Sequence, residues 1–260
     1  MQVFSVSKKK ALSLLALIII IVAAALFYIS HRITDHSGVL WKFVSQQCVP
    51  DMEQHQRPNP CEKVDLSAGY VLFKDRVGPL QYLLMPVQRI TGIESPLLQQ
   101  PTTPNFFLLA WQQRHLLSEK HQAAIPDSQL AMTINSVSGR TQNQMHIHLS
   151  CLRSDIAHQI NQPSQNFSDH WQTLSLRSHP YLIRTLSPTQ LAEESVFIRV
   201  AREIPGAENN MGDYGLALTT LQNGKLVLLA VKKDLLKANT GSAEELQDHS
   251  CKILAKPSGT

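Results

Sequence analysis

The chain is poor in cysteine, with four in 260 residues, and it has no C-x-x-C motif or paired Cys/His spacing. That argues against a zinc site. Beyond Lys8-Lys9-Lys10 it has no block of like charge: 24 Lys and Arg are scattered among 20 Asp and Glu, without interleaved aromatics, for a formal charge of +4. A nucleic-acid partner is therefore not expected, and the mild basic excess fits better with a place beside an anionic bilayer. The apolar fraction of 43% is ordinary, so the chain can bury a core large enough to position a site.

The run from Ala11 to Ile29 carries no charge. At about 1.5 Å per residue it nearly spans a hydrocarbon core of roughly 30 Å, which predicts one transmembrane helix over 11–29. Three lysines before it, against Arg32 beyond it, place residues 1–10 in the cytoplasm and the rest of the chain outside, which in a bacterium is the periplasm. A cleaved secretory signal is the alternative, because Val22-Ala23-Ala24-Ala25 offers small residues. Cys48, Cys61, Cys151 and Cys251 form an even set that suits an oxidising compartment and allows three connectivities. The pairing favoured is Cys48–Cys61, closing a short loop, with Cys151–Cys251. Free buried thiols are the competing reading.

Residues 30–66 read as a polar stalk with a short helix around Gly38 to Gln47. Residues 67–260 read as one domain. Gly69 to Lys74 and Leu80 to Val87 flank turn chemistry at Asp75-Arg76-Val77-Gly78-Pro79 and predict a hairpin. The spacing of Phe106, Phe107, Leu109, Ala110, Leu116 and Leu117 predicts a helix over Asn105 to Lys120. Strands are expected at Leu130 to Ile134, Met145 to Leu152 and Ser195 to Ala201, a helix at Pro188 to Glu194, and a hairpin over Tyr214 to Val231 that turns at Asn223-Gly224. A final helix from Ser242 to Leu254 would open on the capping box Ser242-Ala243-Glu244-Glu245. Laying Gly78 on Gly224 matches Leu80 and Leu83 with Leu226 and Leu229, a faint echo of duplication that chance period-2 patterns would also give.

Side chains two apart on a strand share a face. In Gln144-Met145-His146-Ile147-His148-Leu149-Ser150-Cys151, His146, His148 and Ser150 therefore stand together while Met145, Ile147 and Leu149 point into the core. Neutral imidazole is a good nucleophile toward phosphorus when its other nitrogen is held. By itself the His-x-His pair is equally compatible with metal ligation or with a solvated face.

The surroundings narrow this. Asn135, Gly139 and Gln142, followed by His146-Ile147-His148-Leu149, resemble the histidine-triad superfamily of nucleotide hydrolases and transferases. Ser150 stands where the triad has its third histidine, and Gln81 where a histidine often opens the hairpin's second strand. More of the chain is similar to one branch, the bacterial CDP-diacylglycerol pyrophosphatases. The matching stretches are Ala68-Gly69-Tyr70, Gly78-Pro79-Leu80-Gln81-Tyr82-Leu83-Leu84-Met85-Pro86, Thr103-Pro104-Asn105-Phe106-Phe107, Gly139-Arg140-Thr141-Gln142-Asn143 and the C-terminal Gln247-Asp248-His249.

The resemblance implies an α+β fold, a histidine-triad-like antiparallel sheet with flanking helices after one transmembrane helix, in a single-pass protein of the bacterial inner membrane with its catalytic domain in the periplasm. It implies hydrolysis of CDP-diacylglycerol, a membrane lipid, to phosphatidate and CMP in phospholipid metabolism, without a metal or other cofactor. His148 would be the nucleophile and His146 its neighbour at the phosphate. Asn135, Arg140, Gln142, Asn143 and Ser150 would face the substrate phosphates, with Arg140 as readily a solvated loop charge. The alternatives are a metal-dependent phosphodiesterase that uses the two histidines as ligands, and a non-catalytic binder of nucleotide lipid. No role is assigned to His249.

Overall fold

The computed structural model describes residues 13–25 and 36–255. The first of these segments corrects the membrane expectation. It is helical over 13–25. Among the described residues no helix is long and apolar enough to cross a membrane, so neither the transmembrane helix nor the single-pass inner-membrane placement is supported. The rest of the expected span, 11–12 and 26–29, and the cytoplasmic segment 1–10 lie outside the described residues.

The body is a mixture of helices and one antiparallel sheet. Its nine strands are β1 (Lys63–Asp65), β2 (Tyr70–Lys74), β3 (Tyr82–Pro86), β4 (Leu130–Ile134), β5 (Ile147–Cys151), β6 (Gln172–Leu176), β7 (His179–Leu186), β8 (Tyr214–Thr220) and β9 (Leu226–Lys232), in the order β1-β2-β3-β5-β4-β8-β9-β7-β6. The order β2-β3-β5-β4 is mirrored by β6-β7-β9-β8, and the halves meet where β4 pairs with β8. In each half a hairpin is followed by helices and then by the inner strands: α2 (Phe106–Gln112) and α3 (His115–His121) in the first, α5 (Pro188–Glu193) and α6 (Val196–Glu203) in the second. One registered row crosses both halves, Leu83-His148-Thr133 against Ala217-Leu229-Ile183. The repeat therefore matches β2-β3 with β6-β7 and gives Leu229 the position in the second half that His148 has in the first. Laying Gly78 on Gly224 pairs the wrong hairpins, β2-β3 with β8-β9.

Several elements differ from the expectation. Ser195 to Ala201 is not a strand, since Val196–Glu203 is helical and buries Val196, Phe197, Val200 and Ala201. Its β-branched residues suit a strand, but the apolar spacing of i, i+4 and i+5 gives one helical face. Phe197 packs there against Phe107, with ring centroids 5.4 Å apart. The single helix over Asn105 to Lys120 is two, broken where Arg114 leaves the helix side to grip Asp127 through Nε and Nη2 at 2.8 and 3.1 Å. The short helix after Gly38 is longer than expected. It runs as α1 through consecutive segments, α over Val39–Phe43, π over Val44–Cys48 and α over Val49–His55.

The final helix does not form. Two 3-10 turns, Ala243–Leu246 and Lys252–Leu254, take its place. The capping partners are diverted, with the Ser242 hydroxyl donating to Asn135 Oδ1 and Glu245 accepting from Tyr181. The C-terminal segment is instead fastened to β5. Asp248 N donates to the Cys151 carbonyl, Leu152 bridges Gln247, and Cys151 is bonded to Cys251. The other disulfide is Cys48–Cys61, so the favoured pairing is the one present.

The sheet's two faces are covered differently. Helices α2, α3, α5 and α6 lie over the face that carries Met132, Ile147, Leu149, Leu216 and Leu218. On the opposite face of the second half, α4 (Ser154–Ile160) lays Ile156 and Ile160 over Ile183, Val227 and Leu229. That half is filled with apolar side chains. On the same face of the first half, α1 covers Val71, Leu83 and Met85 with Leu40, Val44 and Cys48, and His146, just before β5, and His148 within it line a cavity beside it.

Candidate active site

The cavity measures about 570 Å³. One wall is apolar, made by Val39, Leu40 and Phe43 of α1 with Phe73 and Leu83 of the sheet. Phe43 and Phe73 stack with centroids 4.9 Å apart. The other wall is polar and contains Asn135, Arg140, Gln142, His146, His148 and Glu244. A groove of this make-up accepts a ligand with one apolar part and one anionic, hydrogen-bonding part.

The strand geometry puts the histidines where the alternation predicts, His146 and His148 on the cavity side and Ile147 and Leu149 in the core. Both are nearly inaccessible, at 8% and 5%. His146 Nδ1 donates to the Gln144 carbonyl at 2.6 Å, which leaves its Nε2 as an acceptor. His148 Nδ1 meets the side-chain amide of Gln81 at 3.1 Å. Its Nε2 is buried and has no hydrogen-bond partner.

Burial, opposed by Glu244 and reinforced by His146 and His249, drives His148 down to about 3. Burial likewise lowers His146. Both rings are therefore neutral at neutral pH, a condition for nucleophilic use of imidazole.

Two residues without a role in the sequence reading join them. Glu244 Oε2 lies 3.4 Å from His148 Nε2, and His249 donates to Glu244 Oε1 at 2.8 Å. Burial works to raise Glu244, but the His249 hydrogen bond, the nearby His148 and the Asn135 amide outweigh it and hold the carboxyl at about 2. His249 Nδ1 stands 3.3 Å from Ser150 Oγ. A third histidine thus reaches the strand's third same-face position from the far end of the chain. Only the Gln247-Asp248-His249 cluster signalled this in the sequence.

The loop residues are placed unequally. Asn135 donates to Glu244 Oε2 at 2.8 Å and accepts from Ser242 Oγ and Glu244 N. Gln142 faces the cavity while binding α1's lead-in, accepting from Leu40 N and donating to the His36 carbonyl. Arg140 lines the cavity with its guanidinium on Glu94, through Nη1 at 2.5 Å and Nη2 at 2.8 Å. Asn143 donates to Ser37 Oγ and accepts from Arg140 Nε. Neither it nor Ser150 is among the residues that line the cavity.

Fold and cavity define a class: an antiparallel α+β protein with a buried, neutral histidine pair and a carboxylate at the edge of a half-apolar, half-polar groove. A family model, CDP-diacylglycerol pyrophosphatase, matches residues 35–255, most of the chain. The chain belongs to that family and is a hydrolase.

Proposed function

We propose that the protein hydrolyses CDP-diacylglycerol to phosphatidate and CMP through a nucleotidyl-histidine on His148, as a step of phospholipid metabolism. The observation that carries the reading is the His148 Nε2 atom, buried at the cavity wall without a hydrogen bond, with the Glu244 carboxylate 3.4 Å away. Nε2 attacks the cytidine-side phosphorus, and phosphatidate departs. Water then opens the N–P bond to release CMP. His146 presents Nε2 beside it, at a ring-centroid separation of 4.8 Å. Asn135, Arg140 and Gln142 supply donors for the phosphoryl oxygens, and Asn143 and Ser150 support Arg140 and His249. The apolar wall of Phe43, Phe73 and Leu83 suits a substrate with a non-polar portion.

The test uses CDP-diacylglycerol labelled in the cytidine phosphate, with an alkaline quench. Label on His148 in the wild type, and neither label nor turnover in His148→Ala, is the expected result. Turnover by His148→Ala would overturn it.

A further inference from the structure

We propose that Glu244 is a catalytic residue that takes and returns the Nε2 proton of His148, and that His249 is the residue that positions it. This rests on His148 being the nucleophile.

On the far side of the imidazole, the Gln81 amide nitrogen donates to Asp75 Oδ2 at 3.3 Å and faces His148 Nδ1 at 3.1 Å. With an N–H directed at it, Nδ1 presents its lone pair, and the one proton of the neutral ring sits on Nε2. Nε2 cannot bond phosphorus until its in-plane electron pair is freed. The carboxylate beside it is Glu244, 3.4 Å away.

In the first step the Nε2 proton passes to Glu244 as the N–P bond forms. The bond from phosphorus to the phosphatidate oxygen breaks, and its electron pair leaves with phosphatidate. In the second step water oxygen bonds phosphorus, the N–P pair returns to Nε2, and Glu244 gives the proton back. The proton lost by water leaves with CMP to solvent.

A carboxylate this acidic is a weak base at rest. Substrate changes that, because its phosphate charge raises the proton affinity of a neighbouring carboxylate and competes for the donors on Asn135 and His249. The placement is built rather than incidental. Asn135 holds both the Glu244 carboxylate and its main-chain N–H. His249 holds the other oxygen and rests on Ser150, and the Cys151–Cys251 bond fixes the segment two residues on.

The experiment measures kcat, KM and melting temperature of the full chain on CDP-diacylglycerol in detergent micelles, for Glu244→Gln, Glu244→Asp, His249→Asn and His148→Ala. Glu244→Gln should lose about 10²–10⁴-fold in kcat with little change in KM, and Glu244→Asp should regain part of it. His249→Asn should lower kcat less and shift the acid limb of its pH profile. The groups facing Glu244 there are His146, His148 and His249, with Arg140 and Asp75 also lining the cavity. Wild-type kcat in Glu244→Gln would overturn the proposal while an inert His148→Ala left the nucleophile standing. Equal loss in Gln and Asp variants with lowered melting temperatures would also overturn it, by showing a structural role. Turnover by His148→Ala would remove the reading beneath it.

Discussion

His249 Nδ1 lies 3.3 Å from Ser150 Oγ, across 99 residues of sequence, and the Cys151–Cys251 disulfide beside it closes a separation of 100. The contact brings the C-terminal segment onto β5. Its neighbours on that end, Glu244 and Gln247, reach His148 at Nε2 and at the main-chain carbonyl respectively. Stability of the C-terminal segment and order in the cavity are thereby one property.

Removing that bond should show it. Cys151→Ser with Cys251→Ser should cost about 2–4 kcal/mol of stability and lower kcat more than Cys48→Ser with Cys61→Ser, because only the first pair holds His249. Denaturant unfolding and turnover of the two double variants check this.

Gly78 meets the same segment from β3's side. Its φ is +70°, and a Cβ there would stand 2.2 Å from the His249 carbonyl oxygen. Backbone cannot yield as a side-chain tip can, so Gly78→Val should destabilise by about 1–3 kcal/mol or more and lower kcat. Thermal melts and steady-state kinetics measure both.

Gly92 offers the contrasting case. A Cβ there would lie 2.1 Å from Arg140 Nη1, the movable end of a side chain. Gly92→Ala should displace the guanidinium from its largely buried place on Glu94, raise KM about tenfold through a weakened charged hydrogen bond, and lower the melting temperature as that pair is broken. An unchanged KM would place Arg140 outside substrate binding.

Acid should destabilise the fold in a defined window. The unfolded chain protonates His148 below about 6.5, whereas the folded protein holds it neutral down to about 3. Over that interval the unfolded state binds more protons, so stability falls as pH falls. Glu244, at about 2 against 4.5, acts in the same direction, its contribution full above 4.5 and lost as pH falls through 2. His148→Asn should flatten the slope of melting temperature against pH between about 6.5 and 3.

The site was legible in part. Period-2 alternation alone put His146 and His148 together and Ile147 and Leu149 in the core, because a strand has only two faces. It could not supply Glu244 or His249, whose positions depend on a terminal segment crossing back over β5. The same limit explains the missed helix at Val196–Glu203 and the missed strands β6 and β7. Their short β-branched or polar runs take their state from what they pack against. The apolar run at 11–29 shows the reverse failure: composition measures hydropathy, but among the described residues no helix is long and apolar enough to cross a membrane.

Local pattern was enough for the hairpins with Gly78 and Gly224 at their turns, for the histidine pair on one strand face, and for the likeness to a family of lipid-nucleotide hydrolases. Long-range packing alone made the sheet a mirrored repeat with Leu229 where the other half has His148, and brought the Glu244 carboxylate and His249 from the C-terminal segment to His148. Pairing register and chain crossing arise from contacts between distant residues, and no local pattern contains them.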